Sequence, residues 1–397
     1  MFCTVYCGLI PTVAQQERTT QSLRNYPTFP HIKAINERHI ESSLNGFVKE
    51  LDSLFKHGAY GEVIEKASSQ IDAMKEPDTR LVYLRGAAAW RVGLFALANQ
   101  DMSRIGAFRL HSTWPSATTY TIKLQRIKAL LPPRVREVRS DENVVFRVFY
   151  SNNDNWTSGI IKLLPLAYRL NRRIIKQPVT ETQVFIFKNY EDFKAFYRLK
   201  SDGRSPGSWT WAAGDAGVMF FSRGVPGASP KASDVNSDYF QTTVVHEFNH
   251  TLVNAISGSA HMPVWLKEGL ATLVGTQASR ENATSIKQRM QRAASVNAFL
   301  PLTGLSSRQE FAKNTEDYVT KSRKNIYCAD TYPQSCFMAS YFLSLLPTQG
   351  LEAFLTDLGQ KRNFDEVFQK YTQHTPDAFY RDWLAQITKQ FHQPSLS

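Results

Sequence analysis

Long apolar runs are missing from this 397-residue sequence. No stretch of about 18 residues is both apolar and uncharged, so a membrane-spanning helix is not expected. Cysteine is scarce, with four residues at positions Cys3, Cys7, Cys328 and Cys336. Neither pair has C-x-x-C spacing and no further His or Cys clusters beside them, which argues against a cysteine-held zinc. Cys328 and Cys336 could still close a small disulfide loop in an oxidising compartment, or remain free thiols. Blocks of one charge are lacking too. The formal net charge is +12, yet the basic residues scatter, with only short clusters at Arg134 to Arg139, Arg169 to Lys176 and Lys321 to Lys324. These read as solvated faces, and without a nucleic-acid motif no nucleic-acid partner is expected. With 42% hydrophobic and 21% charged residues, the composition is that of a folded protein rather than a disordered or collagen-like one. The length exceeds that of a usual single domain, so two folding units are expected.

Met1 to Ala14 is uncharged, mostly apolar, and ends in Thr12-Val13-Ala14 before Gln15-Gln16. It resembles the end of a secretory signal without the basic start; a start further upstream and a poorly ordered tail both account for it. A periplasmic or secreted location is therefore favoured slightly over a cytoplasmic one. Gln15 to Glu37 is polar, carries Pro27 and Pro30, and reads as linker. From Asn45 to Leu131 the apolar spacing is helical, broken at Gly58, Pro77, Gly93 and Pro115. Gly58-Ala59-Tyr60 and Gly93-Leu94-Phe95 stand 35 residues apart, and with Gly86, Ala98 and Pro115 they resemble the tetratricopeptide pattern. A generic array of helical hairpins is the alternative. Two such repeats are too few to stand alone, so this part should lean on the domain C-terminal to it.

Pro132-Pro133 and the charged stretch to Asn143 read as a boundary. Val144 to Tyr150 and Gln183 to Phe187 read as strands with a helix, Ile160 to Lys176, between them. Trp209 to Gly217 and Val218 to Ser222 read as a turn-linked strand pair; Ser222 to Ser237 is a Gly-, Pro- and Ser-rich loop. Beyond Gly275 the pattern is mostly helical, and the last helix starts at Thr375-Pro376-Asp377 with an N-cap, a proline and an acid in order. The expected fold is α+β. A signal remnant and linker (1–37) precede a helical repeat-like unit (38–135), and then a domain (143–395) with a small mixed sheet, one chemistry-bearing helix and a helical C-terminal part.

The chemistry lies in His246-Glu247-Phe248-Asn249-His250. Two imidazoles one helical turn apart can meet one zinc ion at about 2.0–2.1 Å, and Glu247 can reach a water rather than the metal. Ser257-Gly258-Ser259 breaks this helix, and Pro263 opens a second one on which Glu268 can point back as the third ligand. Two imidazoles and one carboxylate leave a fourth position for water, as hydrolysis requires.

H-E-x-x-H followed by Trp265-Leu266-Lys267-Glu268-Gly269-Leu270-Ala271 resembles the glutamate-type zincins, and more narrowly the peptidase MA-like domains. The resemblance implies His246, His250 and Glu268 as ligands of one zinc ion and Glu247 as the catalytic acid/base. It also implies an edge strand above the metal, for which Gly217 to Ser222 is the candidate. Tyr332, in Thr331-Tyr332-Pro333-Gln334-Ser335, resembles the tyrosine of the family's A-Y-x-x-S helix and is the candidate oxyanion donor, with a packing role as the alternative. His261 is a weaker site candidate than a loop histidine. Many relatives carry an acid four residues after the ligand glutamate; here Thr272 stands there. The expected function is zinc-dependent hydrolysis of peptide or protein substrates. The absence of G-x-M-E-N favours an endopeptidase. The alternative is an inactive or weakly active zinc-binding scaffold that recruits a protein partner through its helical repeats.

Overall fold

A computed structural model describes residues 30–140, 142, 144–176, 181–201, 203, 205–206, 210–225, 230–258, 262–323, 330–361 and 363–392. The readings for Met1 to Ala14, Cys3, Cys7, Cys328, Trp209 and His261 fall outside these residues. The chain forms two units, Met1–Lys49 and Glu50–Ser397. The described part of the first is a helical stretch beginning at Pro30, where α1 (Pro30–Lys56) starts. The linker reading to Glu37 is thus too long. Proline is poor inside a helix but suits its first position, where the missing N–H costs nothing and φ is already helical.

Within the second unit, α2 (Tyr60–Asp72), α3 (Thr79–Arg91), α4 (Phe95–Arg104) and α5 (Ala117–Leu130) follow the breaks read from the sequence. α3 is covered all round, every residue from Leu81 to Trp90 being buried. Arg85 on α3 is held by Asp101 of α4 through paired hydrogen bonds of 2.8 and 2.7 Å, so the buried charges are matched rather than stranded.

Next comes a mixed five-stranded sheet of order β1-β2-β3-β5-β4. Its strands are β1 (Arg134–Arg139), β2 (Val145–Tyr150), β3 (Glu181–Phe187), β4 (Ala212–Asp215) and β5 (Val218–Ser222), with α6 (Asn155–Asn171) and α7 (Tyr190–Lys200) between them. β2, β3 and β5 are parallel, and β1 and β4 are antiparallel edges. The charged stretch read as a boundary holds β1. Its sequence, Arg-Val-Arg-Glu-Val-Arg, is exposed almost throughout, as suits an edge whose charges discourage further pairing.

The two faces of the sheet bind different layers. Phe149, Phe185 and Phe220 stand in one register row. Phe185 and Phe220 meet Phe196 of α7, and Phe95 at the start of α4 lies 5.6 Å from Phe185. The Gly93 turn and the start of α4 thereby reach this face, which α7 covers, and α5 packs on α7. On the other face Phe146, Val148, Val184, Ile186, Met219 and Phe221 share a core with α6 and the later helices.

Those are α8 (Asp238–Ser257), α9 (Val264–Gly275), α10 (Arg280–Ser295), α11 (Thr303–Ser306), α12 (Arg308–Arg323), α13 (Thr331–Leu345), α14 (Gly350–Lys361), α15 (Phe364–Thr372) and α16 (Pro376–His392). The result is α+β with a helical majority. Cys336 lies buried on α13, its thiol pushed up to about 12 by burial.

Glycines 58 and 93, set 35 residues apart, both adopt left-handed φ, +81° and +77°. Both turns dock: Gly93 against Val218 and Gln183, and Gly58 against the backbone of Gly258 at the end of α8. A Cβ on Gly58 would fall 1.9 Å from Gly258 Cα. Gly58→Ala therefore costs about 1–3 kcal/mol from the backbone conformation alone, and more from the clash. Gly61, with nothing within 4 Å of such a Cβ, is the control: Gly61→Ala leaves stability unchanged or up to about 1 kcal/mol higher. Chemical denaturation of both variants checks this, and equal midpoints would refute it.

Candidate metal centre

Ser237 starts α8 by accepting the Phe240 N–H at 3.1 Å, and Asp238 complements the positive helix end. Gly258 ends it, at the break read from the sequence. The two middle residues of H-E-x-x-H anchor the helix. Phe248 is fully buried against Phe146 and Tyr168. The Asn249 amide donates to Asn171 Oδ1 at 2.8 Å, and the Asn171 amide donates to the Val245 carbonyl, which ties α6 to α8.

This anchoring turns His246, Glu247 and His250 toward α9. His246 Nε2 and His250 Nε2 lie 3.0 Å apart. Glu268 Oε2 lies 3.2 Å from the first and 3.4 Å from the second. Four tetrahedral ligands with bonds of 2.0–2.1 Å would be about 3.3 Å apart, so the three edges match a tetrahedral metal. Neutral imidazoles bring lone pairs and the carboxylate brings charge to one point, a donor set that suits zinc. His250 Nδ1, buried, has no hydrogen-bond partner among the described residues, which leaves Nε2 as that ring's working atom. The residues present fit the ion that the sequence implied.

Electrostatics sort the acids. Burial works against ionising Glu268, but His250 and His246 outweigh it and hold the carboxyl well below its ordinary range. Burial raises Glu247, with Glu268 adding to the rise, while the histidines and a hydrogen bond from the Gly214 N–H oppose it. Burial lowers His246, yet Glu268 and Glu247 more than reverse this, so its proton is held above the ordinary 6.5.

The strand over this helix is β4, not the expected Gly217 to Ser222. β5 is interior, paired on both sides, and β4 is the edge. Contact comes through Gly214, where a Cβ would sit 2.1 Å from the Glu247 carbonyl and 3.0 Å from His250 Cβ. Only a residue without a side chain allows that approach.

α13 brings Tyr332. It crosses α9 closely because Gly269, next to Glu268, leaves room for the Ser335 carbonyl and Ala339. Asp330 caps α13, holding the Tyr332 N–H, and is itself bound by Arg289. Tyr332 then stands with its ring 6.3 Å from that of His246. Burial, with Glu268 and Glu247 next, lifts its phenol well above the ordinary value, so it keeps its proton and can donate. Thr272 is buried and its hydroxyl makes no hydrogen bond among the described residues; it does not replace the acid many zincins carry there.

Two residues escaped the sequence reading. Gly214 carried no signal beyond small neighbours. Tyr239 did carry one: it lies seven residues before His246, two turns back on the same face. Its hydroxyl accepts from Trp211 Nε1 at 3.4 Å, and burial and Glu247 raise it.

No protein-family model and no curated protein matches this chain.

Substitution of His246, His250 or Glu268 by Ala should abolish stoichiometric zinc, measured by elemental analysis after equilibration, whereas Thr272→Ala retains it. Zinc must displace the proton that His246 holds above 6.5. Affinity should therefore fall as pH drops, already above 6.5, by about tenfold per unit for each proton displaced. Flat affinity from pH 8 to 5.5 would contradict the assignment.

Proposed function

We propose that the protein hydrolyses peptide bonds with one zinc ion held by His246, His250 and Glu268, as an endopeptidase. The observation that carries this reading is the convergence of three ligand atoms at 3.0, 3.2 and 3.4 Å, with a second, separately held carboxylate, Glu247, beside them. Zinc in that position supplies a Lewis acid that polarises a carbonyl and acidifies a water.

The residues of the chain divide the remaining work. Glu247, raised by burial and steadied by the Gly214 N–H, takes the proton from the attacking water and passes it to the leaving amine. The edge of β4 lies beside Glu247 and offers backbone groups to an extended peptide. Tyr332 keeps its hydroxyl proton and donates it as a hydrogen bond to the oxygen on which charge develops.

A second reading, a weakly active zinc scaffold that recruits a protein partner through its helical part, draws on the unpartnered His250 Nδ1 and Thr272 hydroxyl. Groups that orient a ligand histidine typically matter by about 10–100-fold in affinity or activity. That is too little to make an otherwise complete site inert.

Glu247→Gln should keep zinc and lose about 10²–10⁴-fold in kcat. Tyr332→Phe should lose about 10²–10³-fold in kcat with little change in KM. Both are measured on a peptide cleaved by the wild type in a mixed-peptide screen. Cleavage retained by a zinc-loaded Glu247→Gln protein would sink the mechanism.

A further inference from the structure

Beyond Asp215 three elements bring cations together. α7 supplies Lys200, 4% exposed, whose Nζ donates to the Arg91 carbonyl at 2.8 Å and to Asp215 Oδ2 at 3.4 Å. α9 supplies Lys267, next to the ligand Glu268. α12, which packs on α9, begins at Arg308, and its guanidinium donates to the hydroxyl of Tyr197 of α7 at 3.4 Å. Lys200, Lys267 and Arg91 all act on Asp215, holding it low against burial. Tyr197 first, then Glu268 and Tyr332, favour the Arg308 cation. At the other end, where Trp211 meets Tyr239, the charges are mixed: Asp238 and Glu281 hydrogen-bond each other, Lys231 acts on Glu281, and Arg223 follows β5.

Neither Arg308 nor Lys267 forms an ion pair among the described residues. Arg308 has one weak neutral partner, Tyr197, and leaves most of a five-donor fork unused. A guanidinium so placed, steadied from the side, suits a planar carboxylate.

We propose that Arg308, supported by Lys267, receives a carboxylate of the bound peptide, so that substrates carry an acidic group at the Asp215 end of β4. This rests on the peptide-hydrolysis reading, which fixes what lies along β4. The carboxylate has two sources, an Asp or Glu side chain or the peptide's own C-terminus.

Binding separates this from turnover. Zinc-loaded Glu247→Gln protein is titrated with three fluorescent peptides of matched sequence: one with an internal Glu and an amidated end, one with Gln and a free C-terminus, one with Gln and an amidated end. The expected result is about 10–100-fold tighter binding of one carboxylate peptide than of the neutral one. The preference should vanish on adding Arg308→Met, survive in part with Arg308→Lys, and leave zinc content unchanged. Whichever carboxylate peptide binds tighter identifies the source. Equal affinity for all three, or a preference that Arg308→Met leaves intact, overturns the proposal, while Glu247-dependent cleavage of the neutral peptide by the wild type would still support hydrolysis. An Arg308-dependent preference in a protein that cleaves nothing would uphold the carboxylate site and remove the hydrolytic reading.

Discussion

The spacing between α8 and α9 is the constraint on which the rest depends. Glu268 is a carboxylate drawn into a largely enclosed place and kept ionised by two imidazoles of the neighbouring helix. A metal-ligand set tolerates only a few tenths of an ångström, so the helices must be fixed from outside the pair. α8 is fixed on three sides: by Asn249 and Asn171 toward α6, by Gly214 toward the sheet, and by Gly258 against Gly58. α9 is fixed by Ser335 over Gly269 and by Trp265, stacked on Phe379 at 5.4 Å. Each lock works at backbone or fully buried positions, where little slack exists.

The same locking gives the helical part a structural task. Residues Gly58 and Gly93 place two turns on the half that carries His246, His250 and Glu268, and Phe95 packs on the aromatic row of the sheet. Removing these helices would uncover Phe185 and Phe196, on which Phe95 packs, so a truncation there cannot separate recruitment from folding. Nor is α3 a free groove, since it is buried on every side. Any partner surface would have to use the outer faces of α2, α4 and α5.

Legibility in the sequence followed the range of the interaction. H-E-x-x-H, the break at Gly258 and the return of Glu268 are local patterns, set by helix period and capping, and they could be read directly. The strands β2, β3 and β5 were legible because buried parallel strands are apolar runs. β1 was not, since its six residues carry four charges of both signs and gain order from pairing alone. The edge strand was misplaced for a related reason. Val218 to Ser222 has the stronger strand composition, but strand order, which no single segment encodes, puts Ala212 to Asp215 at the edge. Tyr332 was legible only as a motif, for its position depends on α13 crossing α9 from 64 residues away in sequence.

Two glutamates twenty-one residues apart end with opposite proton affinities, and the cause is orientation rather than burial. Both are enclosed. Glu268 points between two imidazoles and feels them directly, so its anion is held. Glu247, one residue from His246 along the helix, is turned off that axis and has a single Gly214 N–H with the more distant histidines against the burial and Glu268. Neighbouring groups pushed apart in this way are what acid/base chemistry requires, one to stay charged and one to exchange a proton. The Gly214 N–H belongs to the strand that, under the hydrolytic reading proposed above, also borders the substrate, so the fit of β4 on α8 would govern two things at once: the proton affinity of Glu247 and the line along which a peptide lies.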